Sequence, residues 1–141
     1  MNQERLLKII EDMQECISDI NECIYILKNK QDDKLLIKLA KSSLRQLFVS
    51  YHTILEDLSS ILLKELKKFR IGITLHESFV IFKNLNLIDE DTFTFLEKSR
   101  LIRNRISHRY KEPSHEDLLN HIQKYKNEFN IPLKLAKSYL N

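Results

Sequence analysis

Apolar residues recur at helical spacing in the N-terminal part of the chain. Alternating steps of three and four residues indicate a helix that packs along one seam. The residues of this pattern are Leu6, Ile10, Met13, Ile17, Ile20, Ile24 and Leu27. They predict a first helix over roughly residues 3 to 28. The polar stretch at 29 to 33 is expected to be a short connection, with Asp32 or Asp33 as the N-cap of the next helix.

A second and longer apolar pattern extends from Leu39 to Phe69. It predicts a helix that runs to about Arg70 and lies antiparallel to the first, because the connection between the two is short. Gly72 is the only glycine of the chain. It is expected to end this helix, since glycine readily adopts the left-handed conformation found after helix C-termini.

Shorter helices are predicted in the second half of the chain. The apolar residues between Phe79 and Leu85 indicate a helix that ends near residues 84 to 86. The acidic residues at 89 to 91 suit the positive N-terminal end of the next helix. That helix is expected to extend to Tyr110, and Pro113 excludes its continuation.

Two further helices are expected near the C-terminus. Ser114 and Asp117 have the spacing of a capping box, with aspartate in the place usually taken by glutamate or glutamine. They open a helix that the apolar pattern carries through Phe129. Pro132 starts a last short helical segment. No repeat, low-complexity tract or internal linker divides the chain, so we expect one domain over residues 1–141.

Composition favours an all-α fold. Hydrophobic residues make up 43% of the chain and charged residues 30%, with one glycine and two prolines. This balance is typical of a soluble globular protein and poor in the residues that β-hairpins need. Together with the periodicity, it predicts an all-α, up-and-down bundle of four to six helices.

The sequence also bears on cellular context. The N-terminus lacks the basic and apolar regions of a signal peptide, and charges interrupt every apolar run. A cytoplasmic protein without membrane contact is therefore expected. Cys16 and Cys23 would be separated by about 10.5 Å along one helix, too far for an intrachain disulfide. We expect both to be buried or interface thiols.

The sharpest charge asymmetry lies between Lys98 and Lys111. No acidic residue interrupts this segment, although the net charge of the whole chain is only +3. Its basic residues are Lys98, Arg100, Arg103, Arg105, Arg109 and Lys111. A solvated helix face is the commoner explanation of such a run. Here asparagine, serine, histidine and tyrosine are interleaved with the charges, which favours an RNA-contacting surface.

Arg103, Asn104 and His108 are the candidate catalytic residues. On a continuous helix, Asn104 lies about 40° from His108 and can orient its imidazole, whereas Arg103 is rotated from it by about 140°. Arg103 would then reach the same site only near a helix end or across a groove completed by another subunit. A histidine can exchange protons of RNA near neutral pH, and an arginine can stabilise the charge of a phosphorane. Taken singly, a helix-terminal histidine and a surface salt bridge are simpler explanations.

The extended motif favours the catalytic interpretation over these simpler explanations. Residues 103 to 110 read Arg-Asn-Arg-Ile-Ser-His-Arg-Tyr, with asparagine directly after the arginine and tyrosine two residues after the histidine. This motif, with two long N-terminal helices and a helix restarting soon after the tyrosine, resembles the HEPN family in the form found in HepT-like toxins. The motif departs from the usual toxin form at Ser107, usually apolar, and at Arg109, often acidic.

The resemblance implies a homodimer whose two motifs meet at a cleft and which cleaves RNA without a metal. It makes Arg103, Asn104 and His108 catalytic, and Tyr110 the acceptor of adenylyl groups from a nucleotidyltransferase antitoxin. The surrounding basic residues would bind RNA; these are Arg100, Arg105, Arg109 and Lys111. No metal or other cofactor is expected, because no histidine or cysteine has ligand spacing.

Other candidates and hypotheses remain. Glu56, Asp57 and Arg45 on the second helix are weaker candidates for lining the cleft, and helix-surface charge is their commoner explanation. The leading hypothesis is a HEPN ribonuclease that acts as a toxin. Its main competitor is a non-catalytic HEPN module that binds or adapts a nucleotidyltransferase. A plain helical interaction protein is the third hypothesis, and it predicts no activity that depends on His108.

Overall fold

The structure, a computed structural model, describes residues 1–141. Its α-helices are α1 (Gln3–Asn29), α2 (Lys34–Glu65), α3 (Leu75–Asn84), α4 (Glu90–Ile106), α5 (His115–Lys124) and α6 (Ile131–Ser138), and two 3-10 turns lie at Arg109–Lys111 and Glu128–Asn130. No residue forms a β-strand. The all-α helical bundle is therefore confirmed, at the upper end of the expected helix count.

Five of the six helices begin at a polar side chain that caps them. In each, the side-chain oxygen of the N-cap accepts a hydrogen bond from the backbone N–H three residues later, at 2.8 to 3.1 Å. The N-caps are Asn2, Asp33, Thr74, Asp89 and Ser114. Each such bond satisfies a backbone donor that the helix itself leaves free. The predicted starts at Asp33 and Ser114 are confirmed.

The second helix ends at Glu65 and not near Arg70 as predicted. Lys67 adopts a left-handed conformation with φ 58°. The N–H of Lys68 then donates to the Leu63 carbonyl oxygen at 2.8 Å, which closes the helix in a Schellman motif. A lysine thus takes the place that the prediction gave to glycine.

Gly72 therefore does not end α2. It has φ 83° and lies in the turn before α3, where a Cβ would meet no atom within 4 Å. Asn86 has φ 59° and follows α3 in the way that Lys67 follows α2, with the Leu87 N–H donating to the Phe82 carbonyl at 2.9 Å. The predicted end of α3 near residues 84 to 86 is confirmed.

The helix that carries the basic motif ends at Ile106, so the predicted extension to Tyr110 is wrong. The N–H groups of Ser107 and His108 donate to carbonyl oxygens three residues earlier, at 3.2 and 3.1 Å, which tightens the last turn. His108 then turns to extended backbone, with φ −117° and ψ 106°, before the 3-10 turn at Arg109–Lys111.

The fifth helix is also shorter than predicted, because it ends at Lys124 and not at Phe129. The backbone passes instead through the 3-10 turn, where the buried Tyr51 hydroxyl donates to the Phe129 carbonyl oxygen at 2.8 Å. The Phe129 ring packs 4.8 Å from Phe95, measured between centroids. Pro132 lies in the first turn of α6, as predicted.

One core unites the six helices. It contains 28 buried residues between Leu6 and Ala136, contributed by every α-helix. The first two helices run antiparallel, since the N-terminal amino group pairs with Glu65 at 3.3 Å and the Cys16 thiol donates to the Leu47 carbonyl oxygen at 3.3 Å.

Both cysteines are buried and free, as expected. Burial, and the nearby acidic side chains Asp19 and Glu15, raise the pKa of Cys16 to about 12. This thiol is therefore unreactive at neutral pH. No helix of the chain combines the length and the apolar content that crossing a membrane requires.

Candidate active site

The early end of α4 divides the basic motif into two parts. Arg103 and Asn104 belong to the last turn of the helix, whereas His108 and Tyr110 lie beyond it. The angles expected for a continuous helix therefore do not apply to His108. The helix does end between Arg103 and His108, but no hydrogen bond joins the two side chains within a single chain.

Arg103 and Asn104 border a polar pocket between α2, the start of α3 and α4. Its volume is about 260 Å³, and Leu75 is its one apolar lining residue. The others are His52, Glu56, Thr74, His76, Arg100, Arg103 and Asn104. The helices α2 and α4 and the N-terminal end of α3 thus bring hydrogen-bonding groups from distant parts of the chain to the first half of the motif.

Arg103 is the cation of this pocket that has no acidic partner. Its side chain is half-buried, and its guanidinium donates to the Ser107 hydroxyl oxygen. Its Nε is buried without a hydrogen-bond partner. The hydroxyl at position 107, where the resemblance leads one to expect an apolar residue, orients the arginine. A held but unneutralised guanidinium is suited to a phosphate group.

Arg100, in contrast, is already paired. Its guanidinium donates to the Glu97 carboxylate at 2.9 Å, and His76 contacts the same carboxylate at 2.9 Å. Burial raises the pKa of Glu97, but the bonds from Arg100 and His76 outweigh it, so that this pKa lies below its ordinary value. Glu97 precedes the uninterrupted basic segment by one residue. It neutralises much of the charge expected from Arg100.

His52 is a pocket residue that the sequence analysis did not single out. The side chain is 1% exposed, and neither ring nitrogen has a hydrogen-bond partner. Burial, assisted by the charges of Arg103 and His121, lowers its pKa to about 3. It is therefore neutral at physiological pH. The available signal was its spacing of four residues from Phe48, on the apolar face of α2.

The second half of the motif is exposed. His108 lies at the surface and Tyr110 is 82% exposed, with 6.1 Å between the two ring centroids. No hydrogen bond joins the His108 imidazole to Arg103 or Asn104 within the chain. Asn104 thus lines the pocket and does not orient the imidazole here. The Tyr110 ring is therefore accessible from solvent.

Two arginines hold the segment that follows His108. Arg105 donates from Nε to the Lys111 carbonyl oxygen at 3.0 Å. Arg45 on α2 forms an ion pair with Glu112 and donates to the Pro113 carbonyl oxygen at 3.3 Å. Arg45 was considered for the cleft, and the structure gives it this anchoring contact.

The remaining basic residues form an exposed surface. Arg109 and Lys111 are exposed, and the Lys111 ammonium lies 5.7 Å from the centre of the Tyr110 ring. Of the two acidic candidates on α2, Glu56 lines the pocket and Asp57 does not. Glu56 is exposed and forms no ion pair in the structure. Of the three weaker candidates on α2, Glu56 is thus the one that lies beside Arg103 and Asn104 in the pocket.

His121 is a second buried histidine, with a structural contact. It lies 2.6 Å from the Ser99 hydroxyl and packs against Phe95 with near-parallel rings. Burial, together with Lys98 and Lys124, lowers its pKa to about 4. No group of three or more histidine, cysteine or acidic side chains is arranged to hold a metal ion.

Comparison of the chain with protein-family models, with curated proteins and with solved structures finds no match.

Proposed function

We propose that the protein is a metal-independent endoribonuclease of the HEPN type, which acts in the cytoplasm as the toxin partner of a nucleotidyltransferase. The observation that carries this proposal is the presence of an unneutralised, oriented Arg103 and an exposed His108 in one basic segment. Both groups are free for a ligand. Neither side chain forms an ion pair, whereas Arg100 pairs with Glu97.

The reaction uses the 2′-hydroxyl of RNA as nucleophile. His108, acting as base, removes the hydroxyl proton while the oxygen attacks the adjacent phosphorus, and the bond to the 5′-oxygen breaks. The leaving oxygen takes a proton, either from a protonated His108 or from water. Arg103 stabilises the charge that develops on the phosphorane oxygens. The products are a 2′,3′-cyclic phosphate and a 5′-hydroxyl end.

A homodimer completes the site. Within one chain Arg103 faces the pocket, whereas His108 projects beyond the helix end without contacting it. A two-fold axis near the motif would bring the histidine of each subunit to the arginine of the other, so that each cleft uses both chains. The exposed Arg105, Arg109 and Lys111 extend this basic surface along the RNA backbone.

Tyr110 is the proposed switch. Its exposure makes the hydroxyl accessible to a nucleotidyltransferase, and an adenylyl group would place a negative phosphate beside Arg109 and Lys111. That phosphate would repel the RNA backbone from the cleft.

The primary experiment is cleavage of single-stranded RNA by the purified protein in EDTA, with end-group analysis of the products. We expect 2′,3′-cyclic phosphates, or the 3′-phosphates derived from them, and loss of cleavage in His108→Ala. Strict dependence on added divalent metal would exclude this mechanism.

The separation of Arg103 and His108 within the chain also fits a second candidate, a non-catalytic HEPN module that docks a nucleotidyltransferase. This candidate predicts no RNA cleavage under any condition, together with stable binding of such a partner by the wild-type protein. The cleavage assay distinguishes the two.

A further inference from the structure

The pocket beside Arg103 contains both hydrogen-bond donors and hydrogen-bond acceptors. Arg103 can only donate, the Glu56 carboxylate can only accept, and the Asn104 amide can do both. A phosphate group only accepts hydrogen bonds. The lining is therefore better matched to a neutral ring that carries donors and acceptors on its edges, such as a nucleobase.

His52 supports the same conclusion from a buried position. A neutral imidazole has one N–H donor and one acceptor nitrogen. Neither has a partner, although the side chain is 1% exposed and borders the pocket. Buried polar groups are nearly always hydrogen-bonded, so an unpaired imidazole beside a cavity indicates a ligand that pairs with it. The low pKa of His52 keeps the ring neutral and able to do both.

Glu56 discriminates among the four bases. A carboxylate accepts two parallel N–H bonds, and only guanine has adjacent donors, at N1 and N2, on its pairing edge. Adenine, cytosine and uracil have an acceptor at one of the positions where guanine donates to a carboxylate. Since Glu56 forms no ion pair, its carboxylate is available.

We propose that the pocket bordered by His52, Glu56 and Arg103 binds a guanine base of the RNA substrate. The inference rests on the proposed ribonuclease function, since it takes Arg103 to contact the phosphate that is cleaved. The base in the pocket then adjoins that phosphate. The cavity, of about 260 Å³, is smaller than typical pockets for drug-sized ligands and suits a single base.

Binding of free mononucleotides tests the pocket without requiring cleavage. Calorimetry with guanosine, adenosine, cytidine and uridine 3′-monophosphates should give tightest binding for the guanosine compound, by about tenfold or more. Because all four carry the same phosphate, the difference reports the base. In wild-type protein, the imidazole nitrogen resonances of His52 should shift on addition of the guanosine nucleotide and not with the other three.

The variant Glu56→Gln should abolish the preference, because the amide replaces one of the two carboxylate oxygens with an NH₂ group, which donates and so cannot accept the second guanine N–H. Asp57→Asn is the matched control, since it removes the same charge from the adjacent exposed position outside the pocket. Equal affinity for all four nucleotides, or a preference that Glu56→Gln leaves unchanged, would overturn the inference.

Mapping of cut sites on a random-sequence RNA separates this inference from the proposed function. Cuts beside guanine that become unselective in Glu56→Gln support both. Cuts without base preference support the ribonuclease and overturn the guanine pocket. Selective guanosine binding without any cleavage overturns the ribonuclease and leaves the pocket as a guanine nucleotide site.

Discussion

The two halves of the motif differ in how the fold holds them. Arg103 and Asn104 stand on the last turn of α4, between α2 and the start of α3, and the Ser107 hydroxyl accepts from the arginine. His108 and Tyr110 lie in an exposed extended segment and a 3-10 turn. The first half is positioned by packing, whereas the second is positioned by the backbone anchors that follow it, from Arg105 and Arg45.

This difference shows that spacing in sequence does not by itself create a catalytic pair. Only four residues lie between Arg103 and His108, but the helix ends within them and His108 has extended backbone conformation. The Arg103 guanidinium is held in place by the Ser107 hydroxyl, whereas His108 and Tyr110 are exposed to solvent. An arrangement of this kind suits a site that two subunits complete.

The largest expected effect comes from substituting one residue in each half of the motif, in separate variants. His108→Ala and Arg103→Ala should each lower cleavage by about two to four orders of magnitude, since each removes a group that acts in the transition state. In an equal mixture of the two variants, refolded together, half the dimers are mixed. Each mixed dimer has one cleft with both intact residues, so about a quarter of wild-type activity should return.

The control is a mixture of either variant with itself under the same refolding protocol, which should stay inactive. Light scattering should give about twice the chain mass of 16.9 kDa for the wild type. If the mixed variants remain inactive although mixed dimers form, both residues of each site belong to the same chain. If the wild type is monomeric and cuts RNA, the composite cleft is excluded.

The sequence predicts the helical architecture well because the relevant signals are local. Apolar periodicity defines α1 and α2, and polar residues such as Asp33 and Ser114 mark helix starts through bonds to groups three residues away. The helix C-termini were harder to predict. Lys67 adopts a left-handed conformation that its residue type does not favour, and the tertiary bond from Tyr51 to Phe129 helps to end the helical pattern after α5.

The residues of the candidate site could be proposed from the sequence, whereas their geometry could not. The basic segment and the motif are continuous in sequence, and so they were found. The pocket was missed because His52, Thr74 and Arg103 come from three helices that meet only through packing. In the same way, neutralisation of Arg100 by Glu97 depends on side-chain orientation, which residue spacing only partly determines.

The second expected effect contrasts buried histidines with the exposed one. In the folded state, the pKa of His52 is about 3 and that of His121 is about 4, chiefly because both are buried. The charge of Arg103 lowers the pKa of His52 further, and Lys98 and Lys124 do the same for His121. Unfolded histidine titrates near ~6.5. Below that pH, His52 and His121 become protonated in the unfolded chain but stay neutral in the folded chain.

Stability should therefore be greatest above pH ~6.5 and fall on acidification towards pH ~4. The slope should be up to about 1.4 kcal/mol per pH unit for each buried histidine. Urea denaturation between pH 7 and 4.5 measures it. His52→Phe should remove roughly half of this slope, because it removes one of the two buried histidines. An unchanged slope in His52→Phe would show that His52 is protonated in the folded state.

A smaller effect should come from the contact that orients the arginine. Ser107→Ala removes the hydroxyl that accepts from the Arg103 guanidinium, and Ser107 itself is exposed. We expect kcat to fall by about tenfold with little change in KM, since the charge remains but its position is less defined. Ser107→Thr keeps the hydroxyl and should retain most of the activity. A loss of equal size in Ser107→Thr would assign the effect to packing at the helix end.

The smallest expected effect concerns the tyrosine of the exposed half. Tyr110 is 82% exposed and its hydroxyl makes no hydrogen bond, so Tyr110→Phe should fold normally and cleave RNA within about twofold of the wild-type rate. Incubation with a nucleotidyltransferase partner and ATP should add one adenylyl mass at Tyr110 in the wild type and stop cleavage, because the added phosphate repels RNA. The phenylalanine variant should gain no mass and stay active under the same treatment.

The buried Tyr51 provides an internal reference in peptide mapping, since its hydroxyl is enclosed in the core and should remain unmodified. If modification maps to another residue, or if Tyr110→Phe alone abolishes cleavage with the fold intact, the tyrosine takes part in the chemistry and the exposed half is catalytic throughout.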